Sequence, residues 1–171
     1  MIKEYPLDGV KSLEITINPD ERGFFAEALR QDWKDFIPEW IVQANLSFRY
    51  PGIVTAWHKH VHGQVDYFLV LKGSLKICAY DEGSRKLVEI IGSEKKPTLI
   101  RIPGNYFHGT KVISDEPALA VYFVTKLYEY KKPDEVRIPW NSLDIIPLEI
   151  NGNKNDPRVG KSFDWLYLPH K

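Results

Sequence analysis

The run WHKHVHGQVDYFLVLKGSLKICAYD, Trp57–Asp81, decides the fold. Its first part places His58, His60 and His62, three of the chain's five histidines, at alternate positions. An extended strand sends residues i, i+2 and i+4 to one face. Three imidazoles are therefore expected to look into one space, followed in the same parity by Gln64 and Asp66. Gly63 is a candidate break in that strand. The second part, Asp66–Asp81, holds two apolar runs meeting at Lys72-Gly73 and reads as a β-hairpin.

Working outward, the β period continues. KSLEITI (Lys11–Ile17), FFAEAL, IVQANLSFR, KLVEIIG, TLIRIP and LAVYFVT are strand candidates, and NPDERG and YPG are turns. Turn signals recur roughly every ten residues, the spacing of a sandwich or barrel. RQDWKDFIPEW (Arg30–Trp40) is the best short helix, with Trp33, Phe36 and Ile37 on one stripe and Pro38 limiting it. From Asn141 the chain turns polar and loop-like, then ends in the aromatic FDWLYLP, a segment expected to dock on another surface. Many short antiparallel strands in one domain predict an all-β jelly-roll barrel with an interior able to hold a ligand. The barrel is expected over residues 10–140 and a C-terminal extension over 141–171, the whole being one domain of 171 residues.

Charge and composition narrow the function. Lys plus Arg and Asp plus Glu both count 23, so the chain lacks the basic footprint of a nucleic-acid binder. Its single cysteine, Cys78, excludes an intrachain disulfide framework and reads as a buried small hydrophobe. No secretory h-region is visible at the N-terminus, and the longest apolar run, ALAVYFV, has seven residues, too few to cross a bilayer as a helix. A soluble cytoplasmic protein is the expectation. Five Trp, nine Tyr and eight Phe suit β packing and a site for a cyclic ligand. His170, near the C-terminus, is expected to be inert.

Two constellations carry chemistry. Gly52-x5-His58-x-His60-x5-Asp66-x6-Gly73 approaches the first motif of the cupin superfamily, and PGNYFH (Pro103–His108) has the P-x4-H spacing of the second, with Asn105 where a glycine is usual. His58, His60, Asp66 and His108 form a mixed imidazole and carboxylate set that suits a divalent transition metal. Alongside them stand DERGFFAE (Asp20–Glu27), VQANLS, GIVTAWH, IRIPGNYFHG, SDEPALAVYFVT and IPWN. In this order the segments resemble the dTDP-4-dehydrorhamnose 3,5-epimerase family, a branch of the cupins.

The resemblance implies a nucleotide-linked 4-keto-6-deoxy sugar as substrate. The ketone acidifies the neighbouring C–H bonds, so the protein must supply a base, an enolate stabiliser and an acid on the opposite face. By resemblance His58 is the base, its unperturbed pKa of about 6.5 being suited to the task. A C-terminal carboxylate, Asp144 or Asp164, would orient it. Tyr128 in TKLYEY, with Tyr130 in reserve, would be the acid. Arg22, Phe25 and Glu27 match the loop that grips the nucleotide, usually from a neighbouring subunit; Gln43, Asn45 and His108 match ligand-contacting groups. The family is metal-free and dimeric, which implies no cofactor and a homodimer, with no nucleic-acid or membrane partner.

Two departures bear on the chemistry. The family's arginine three residues before the base is Thr55 here, and its lysine near the enolate is Asp66. A carboxylate beside a developing oxyanion raises the barrier. Either a protonated His60 or His62 takes over the charge, or the HxH pair returns the site to metal binding with His58, His60, Asp66 and His108 as ligands. A metal-dependent isomerase or oxygenase and a non-catalytic sugar-nucleotide binder are thus the competing readings.

Overall fold

A computed structural model describes residues 1–168; His170 lies outside them. Among the described residues the regular structure is entirely β. The strands are β1 (Ile2–Glu4), β2 (Lys11–Glu14), β3 (Asn18–Asp20), β4 (Gly23–Phe25), β5 (Gln43–Arg49), β6 (Val54–Lys59) and β7 (Val65–Lys72). They continue with β8 (Ser74–Asp81), β9 (Lys86–Ser93), β10 (Thr98–Pro103), β11 (Phe107–Val112), β12 (Ala118–Val124), β13 (Val136–Arg137) and β14 (Glu149–Ile150). Two six-stranded sheets result, ordered β1-β2-β10-β7-β12-β5 and β13-β6-β11-β8-β9-β14, while β3 and β4 form a separate arm. This is the expected jelly roll. Among the described residues no helix is long and apolar enough to cross a membrane.

Asp66–Asp81 is not a hairpin. Strand β7 pairs with β10 and β12 of the first sheet, whereas β8 pairs with β9 and β11 of the second. The chain changes sheets at Gly73. That glycine has φ +70°, and a Cβ there would lie 2.8 Å from Ser114 Oγ and 3.0 Å from the Pro117 carbonyl. Two apolar runs around a turn residue announce two strands; they do not say whether the turn returns within a sheet or crosses between sheets. The actual hairpin here is β8–β9, closed by Asp81, which accepts from Ser84 N and Oγ.

Alternation along each strand sorts the core. Phe68 and Val70 of β7 meet Leu75, Ile77 and Ala79 of β8 and Ile100 and Ile102 of β10 between the sheets. The opposite parity of β7, Tyr67 and Leu69, faces outward and is covered by Ile15, Phe36 and Ile37. The covering segment, Arg30–Trp40, is not helical. It makes a single turn, with Phe36 N and Ile37 N both donating to Trp33 O, and Pro38 then removes the next donor. The apolar stripe was real, but it is too short to pass the costly first turn of a helix.

The C-terminal extension covers the outer face of the second sheet. Strand β14 adds to β9 in parallel, and Phe163 and Trp165 pack on Trp57, with ring centroids 5.5 and 4.8 Å away. Cys78 is buried in this same cluster, and burial pushes its thiol pKa up, as suits an inert packing residue. Lys111 Nζ ties the tail down by donating to Trp165 O. Each sheet is therefore apolar on both faces over much of its area, which explains the continuous apolar runs. Gly73→Ala is expected to cost about 1–3 kcal/mol through strain and backbone overlap at the crossover, read as a lowered urea midpoint with unchanged slope.

Candidate active site

The apolar interior gives way to polar side chains at one end of the barrel. Along the inner parity of β7, Val70 and Phe68 are followed by Asp66; along β11, Val112 is followed by Thr110 and His108. Strand β6 brings His58 directly opposite His108 in register, so the two rings lie 4.1 Å apart between centroids. These groups line a cavity of about 850 Å³, within the range of small-ligand sites.

Two of the three clustered histidines join this interior. His58 ends the inner face of β6, and His60 follows just beyond the strand, 5% exposed. His62 reaches the cavity only at its rim, its side chain 61% exposed, with Nδ1 3.2 Å from Asp134 Oδ1. The alternation fails because the strand stops at Lys59 and the chain bends through Gly63, at φ +79°, before β7 begins. Gln64 and Asp66 do return to the site. A tight backbone clasp holds the bend: His60 N donates to Gly104 O at 2.6 Å, and Gly104 N donates to Gln64 O at 2.8 Å.

Asp66 is the centre of the cluster. Gln64 Nε2 donates to its Oδ1 at 2.7 Å, and its Oδ2 lies 3.3 Å from His108 Nε2 and 3.7 Å from His60 Nε2. Burial raises its pKa, but the bonds from His108 and His60 outweigh that and hold the carboxylate well below its usual range. His60 is likewise disfavoured as a cation by burial, yet Asp66 and the Asp134 carbonyl leave its pKa raised. His58 has no carboxylate in hydrogen-bond contact among the described residues, Asp66 lying within 4.8 Å without bonding it. Burial first, then the neighbouring His108 and His60, push its pKa down to about 2, so its ring is neutral. Its Nδ1 is buried without a hydrogen-bond partner among the described residues.

The other sequence candidates divide. Gln43 and Asn45 line the cavity from β5 and are joined, Gln43 Nε2 donating to Asn45 Oδ1 at 2.8 Å. Gln43 Oε1 also accepts from Tyr128 N at 3.1 Å, which brings Tyr128 to the cavity wall, with Tyr130 5.2 Å from it between ring centroids. Arg22 and Phe25 lie away from the cavity on the exposed β3–β4 arm, Arg22 bonded to Asp20. Glu27 bonds Arg30 and is also outside. Asp144 does not orient His58: it is exposed, bonded to Ser142, and absent from the cavity wall. Asp164 accepts from Leu166 N in the tail. The tail is committed to the outer face of the sheet, so its carboxylates do not reach the interior.

Three contributors escaped the sequence reading. Asp134 accepts from Val61 N and His62 N, both at 2.9 Å, and its carbonyl accepts from His60 Nδ1 at 2.9 Å. Arg49 lines the cavity from the inner face of β5, its guanidinium donating to Thr110 Oγ1 at 2.5 Å, and burial lowers its pKa. Arg137 of β13 lines the mouth and pairs with Glu135. Position 55, where a cation was missed, thus faces a cavity that already contains two guanidinium groups. The inward parity of Arg49 with Gln43 and Asn45 was the available signal.

A two-sheet jelly roll with an imidazole-lined cavity at one end defines a cupin. Residues 4–156 match the family model described as dTDP-4-dehydrorhamnose 3,5-epimerase. The chain is 38% identical over 139 residues to Agl13 of Haloferax volcanii, a probable low-salt glycan biosynthesis epimerase, covering 77% of this chain and 87% of the relative. It is 36% identical over 144 residues to the spore coat polysaccharide biosynthesis protein SpsL of Bacillus subtilis, covering 81% and 93%. Its fold superposes on the Legionella pneumophila dTDP-6-deoxy-D-glucose-3,5-epimerase RmlC, crystallised with dTDP-4-keto-L-rhamnose, with a TM-score of 0.76, 26% identity and coverage of 97% and 83%. The chain belongs to the dTDP-4-dehydrorhamnose 3,5-epimerase family and is a sugar-nucleotide epimerase of that type.

The clasp at Gly104 sets the position of His60. A Cβ there would collide with the Gln64 carbonyl oxygen and approach His60 Cβ to 2.7 Å. Gly104→Ala is expected to cost about 1–3 kcal/mol and to shift the His60 ring resonances in an NMR spectrum more than those of His62.

Proposed function

We propose that the chain inverts a carbon next to the ketone of a nucleotide-linked 4-keto-6-deoxy sugar, with His58 as proton acceptor. The observation that carries this reading is the state of His58. It lines the cavity with a neutral ring whose Nδ1 lacks a partner among the described residues, while His60 and His108 are both engaged. A neutral imidazole facing the sugar is able to take a C–H proton. The carboxylate that offsets the resulting charge is Asp66, whose ligand atom lies within 4.8 Å of that of His58, rather than Asp144. An isolated ring with so low a pKa is a weak base, and this compensation is what makes the transfer feasible.

Tyr128, at the wall beside Gln43, is the acid that returns a proton to the opposite face. Gln43 and Asn45 hold the sugar, and Arg49 and Arg137 supply positive charge for the diphosphate or the developing enolate; a guanidinium suits either because it donates in a planar fork. Arg22, Phe25 and Glu27 serve a second cavity rather than their own, in a homodimer. Support comes from the exposed aromatic arm, with Phe24 and Phe25 over half exposed, and from edge strand β5, whose outward Leu46 and Phe48 are bare. The reaction is expected to occur in the cytoplasm.

Incubation with a 4-keto-6-deoxy sugar nucleotide in D2O is expected to place deuterium at a carbon flanking the ketone. His58→Asn should reduce that exchange by about 10²-fold or more; unchanged exchange removes His58 from the role. Tyr128→Phe should retain exchange and lose inversion. Arg49→Met is expected to raise KM or lower kcat by about tenfold or more, loss of one charge-assisted bond being worth about 1.5–3 kcal/mol.

A further inference from the structure

The cations of the cavity are divided between its two ends. Lys126, Lys132 and Arg137 stand exposed at the mouth, and Arg137 is paired with Glu135. Arg49 stands at the inner end. Gln43 lies level with Val124, and Val124 with Asp66, at the polar end of the first sheet. Arg49 lies level with Ala118, six residues further along β5, which is roughly 20 Å of strand. From there its side chain reaches back to Thr110, one inward step beyond His108 on β11. The guanidinium therefore forms the floor of the cavity, below the level at which His58 faces His108.

Arg49 also lacks an anion. Arg22, Arg30, Arg101, Arg137 and Arg158 each pair with a carboxylate. Among the described residues no carboxylate pairs with Arg49, whose partner is the neutral Thr110 hydroxyl. Burial disfavours its charge and lowers its pKa. A guanidinium with a single neutral acceptor has most of its N–H donors left to use, and a charge withdrawn from water in that state is costly. The missing partner is a group that the ligand brings.

We infer that Arg49 holds the ketone oxygen of the sugar and stabilises the negative charge which that oxygen acquires as the flanking C–H bond breaks. The chemistry rests on the epimerase reading; the contact rests on where Arg49 lies. In a pyranose joined through C1 to a diphosphate, C4 is the ring atom opposite C1. A diphosphate held by the exposed cations of the mouth therefore directs a C4 ketone oxygen at the floor. The flanking carbons, C3 and C5, then lie nearer the mouth, towards the level of His58. The spans agree. An N–H···O contact takes about 2.9 Å, the ketone oxygen lies roughly 2.4 Å from each flanking carbon at standard bond lengths, and a proton-accepting nitrogen stands about 3–3.5 Å from that carbon. A bent path of these contacts covers the single inward step between the two levels, about 6.6 Å. The C–H bond breaks, its proton passes to His58, and its electron pair moves onto the ketone oxygen to form the enolate. The guanidinium stays protonated throughout. Return of the pair to carbon, with a proton delivered to the other face, completes the inversion without oxidant or reductant. Thr110 is a positioning residue, which fixes the guanidinium by accepting from it.

The test is the carbonyl stretch of dTDP-4-keto-6-deoxyglucose, labelled with ¹³C at C4 and bound to the full-length protein, read by isotope-edited infrared spectroscopy. His58→Asn is the background, so that the bound sugar is not consumed. The stretch is expected at lower frequency in His58→Asn than in the double variant His58→Asn/Arg49→Gln, because the guanidinium polarises the carbonyl. Equal frequencies overturn the inference. Turnover gives the second arm. Arg49→Gln should lower kcat for deuterium exchange by about 10²-fold and leave the Kd for dTDP unchanged. A Kd that rises as much as kcat falls places Arg49 on the diphosphate and overturns the inference. Free guanidinium ion, below the concentration that unfolds the protein, should restore part of the exchange to Arg49→Ala. A lowered thermal midpoint without rescue marks a structural arginine and overturns the inference. Should Arg49→Gln fail to fold, Arg49→Lys decides: it keeps the charge and loses the planar fork, and exchange at the wild-type rate in that variant overturns the inference. Wild-type protein that shows no deuterium exchange, while the stretch still depends on Arg49, leaves the contact standing and removes the epimerase reading.

Discussion

A carboxylate at a position that the strand pattern makes interior is the constraint on which the site depends. Asp66 follows Phe68 and Val70 along the inner face of β7 and is 1% exposed. An ionised group there is costly unless it is paired and hydrogen-bonded. The surrounding chain is arranged to meet that cost: Gln64 folds back to donate, β11 brings His108, and the bend after β6 brings His60. The glycine at position 104 has no side chain because the bend must press against it. Site and fold are therefore one structure, and the polar end of the barrel exists because compensating groups come from strand β11 and from the bend between β6 and β7.

The legible and illegible parts of this structure separate along one physical line. Period-2 alternation located the strands, because each carries its own inside and outside. The convergence of His58, His60 and Asp66 followed from the same pattern, whereas Gln43 and Asn45 came from the family resemblance and His108 from the spacing of the second cupin motif. What depended on partners distant in sequence was lost. The β7–β8 crossover looked like a hairpin because pairing is not encoded in a strand's own pattern. His62 was grouped with His58 and His60 because strand ends are weakly marked. Asp134 supports His60 across 74 residues, and nothing local to either residue announces it. Asp144 failed for the converse reason: the tail's aromatics commit it to the outside of the barrel, a destination that Phe163 and Trp165 set.

The loss of a cation at position 55 also looks different in three dimensions. Arg49 enters the cavity from the facing sheet and donates to Thr110. A charge needed at a place in space does not have to come from a fixed place in the chain. A linear comparison registers the vacancy at Thr55 without seeing that the opposite wall supplies a guanidinium.

The stretch from Thr125 to Glu135 has two duties. It forms part of the cavity mouth through Tyr128 and Glu135, and Asp134 within it clamps the backbone at Val61 and His62 and supplies the oxygen that sets the His60 tautomer. Pulling this rim aside to admit a bulky guest would also release the catch that aims His60. Rim and ring are thus mechanically linked: whatever displaces the lip is felt at the imidazole it aims.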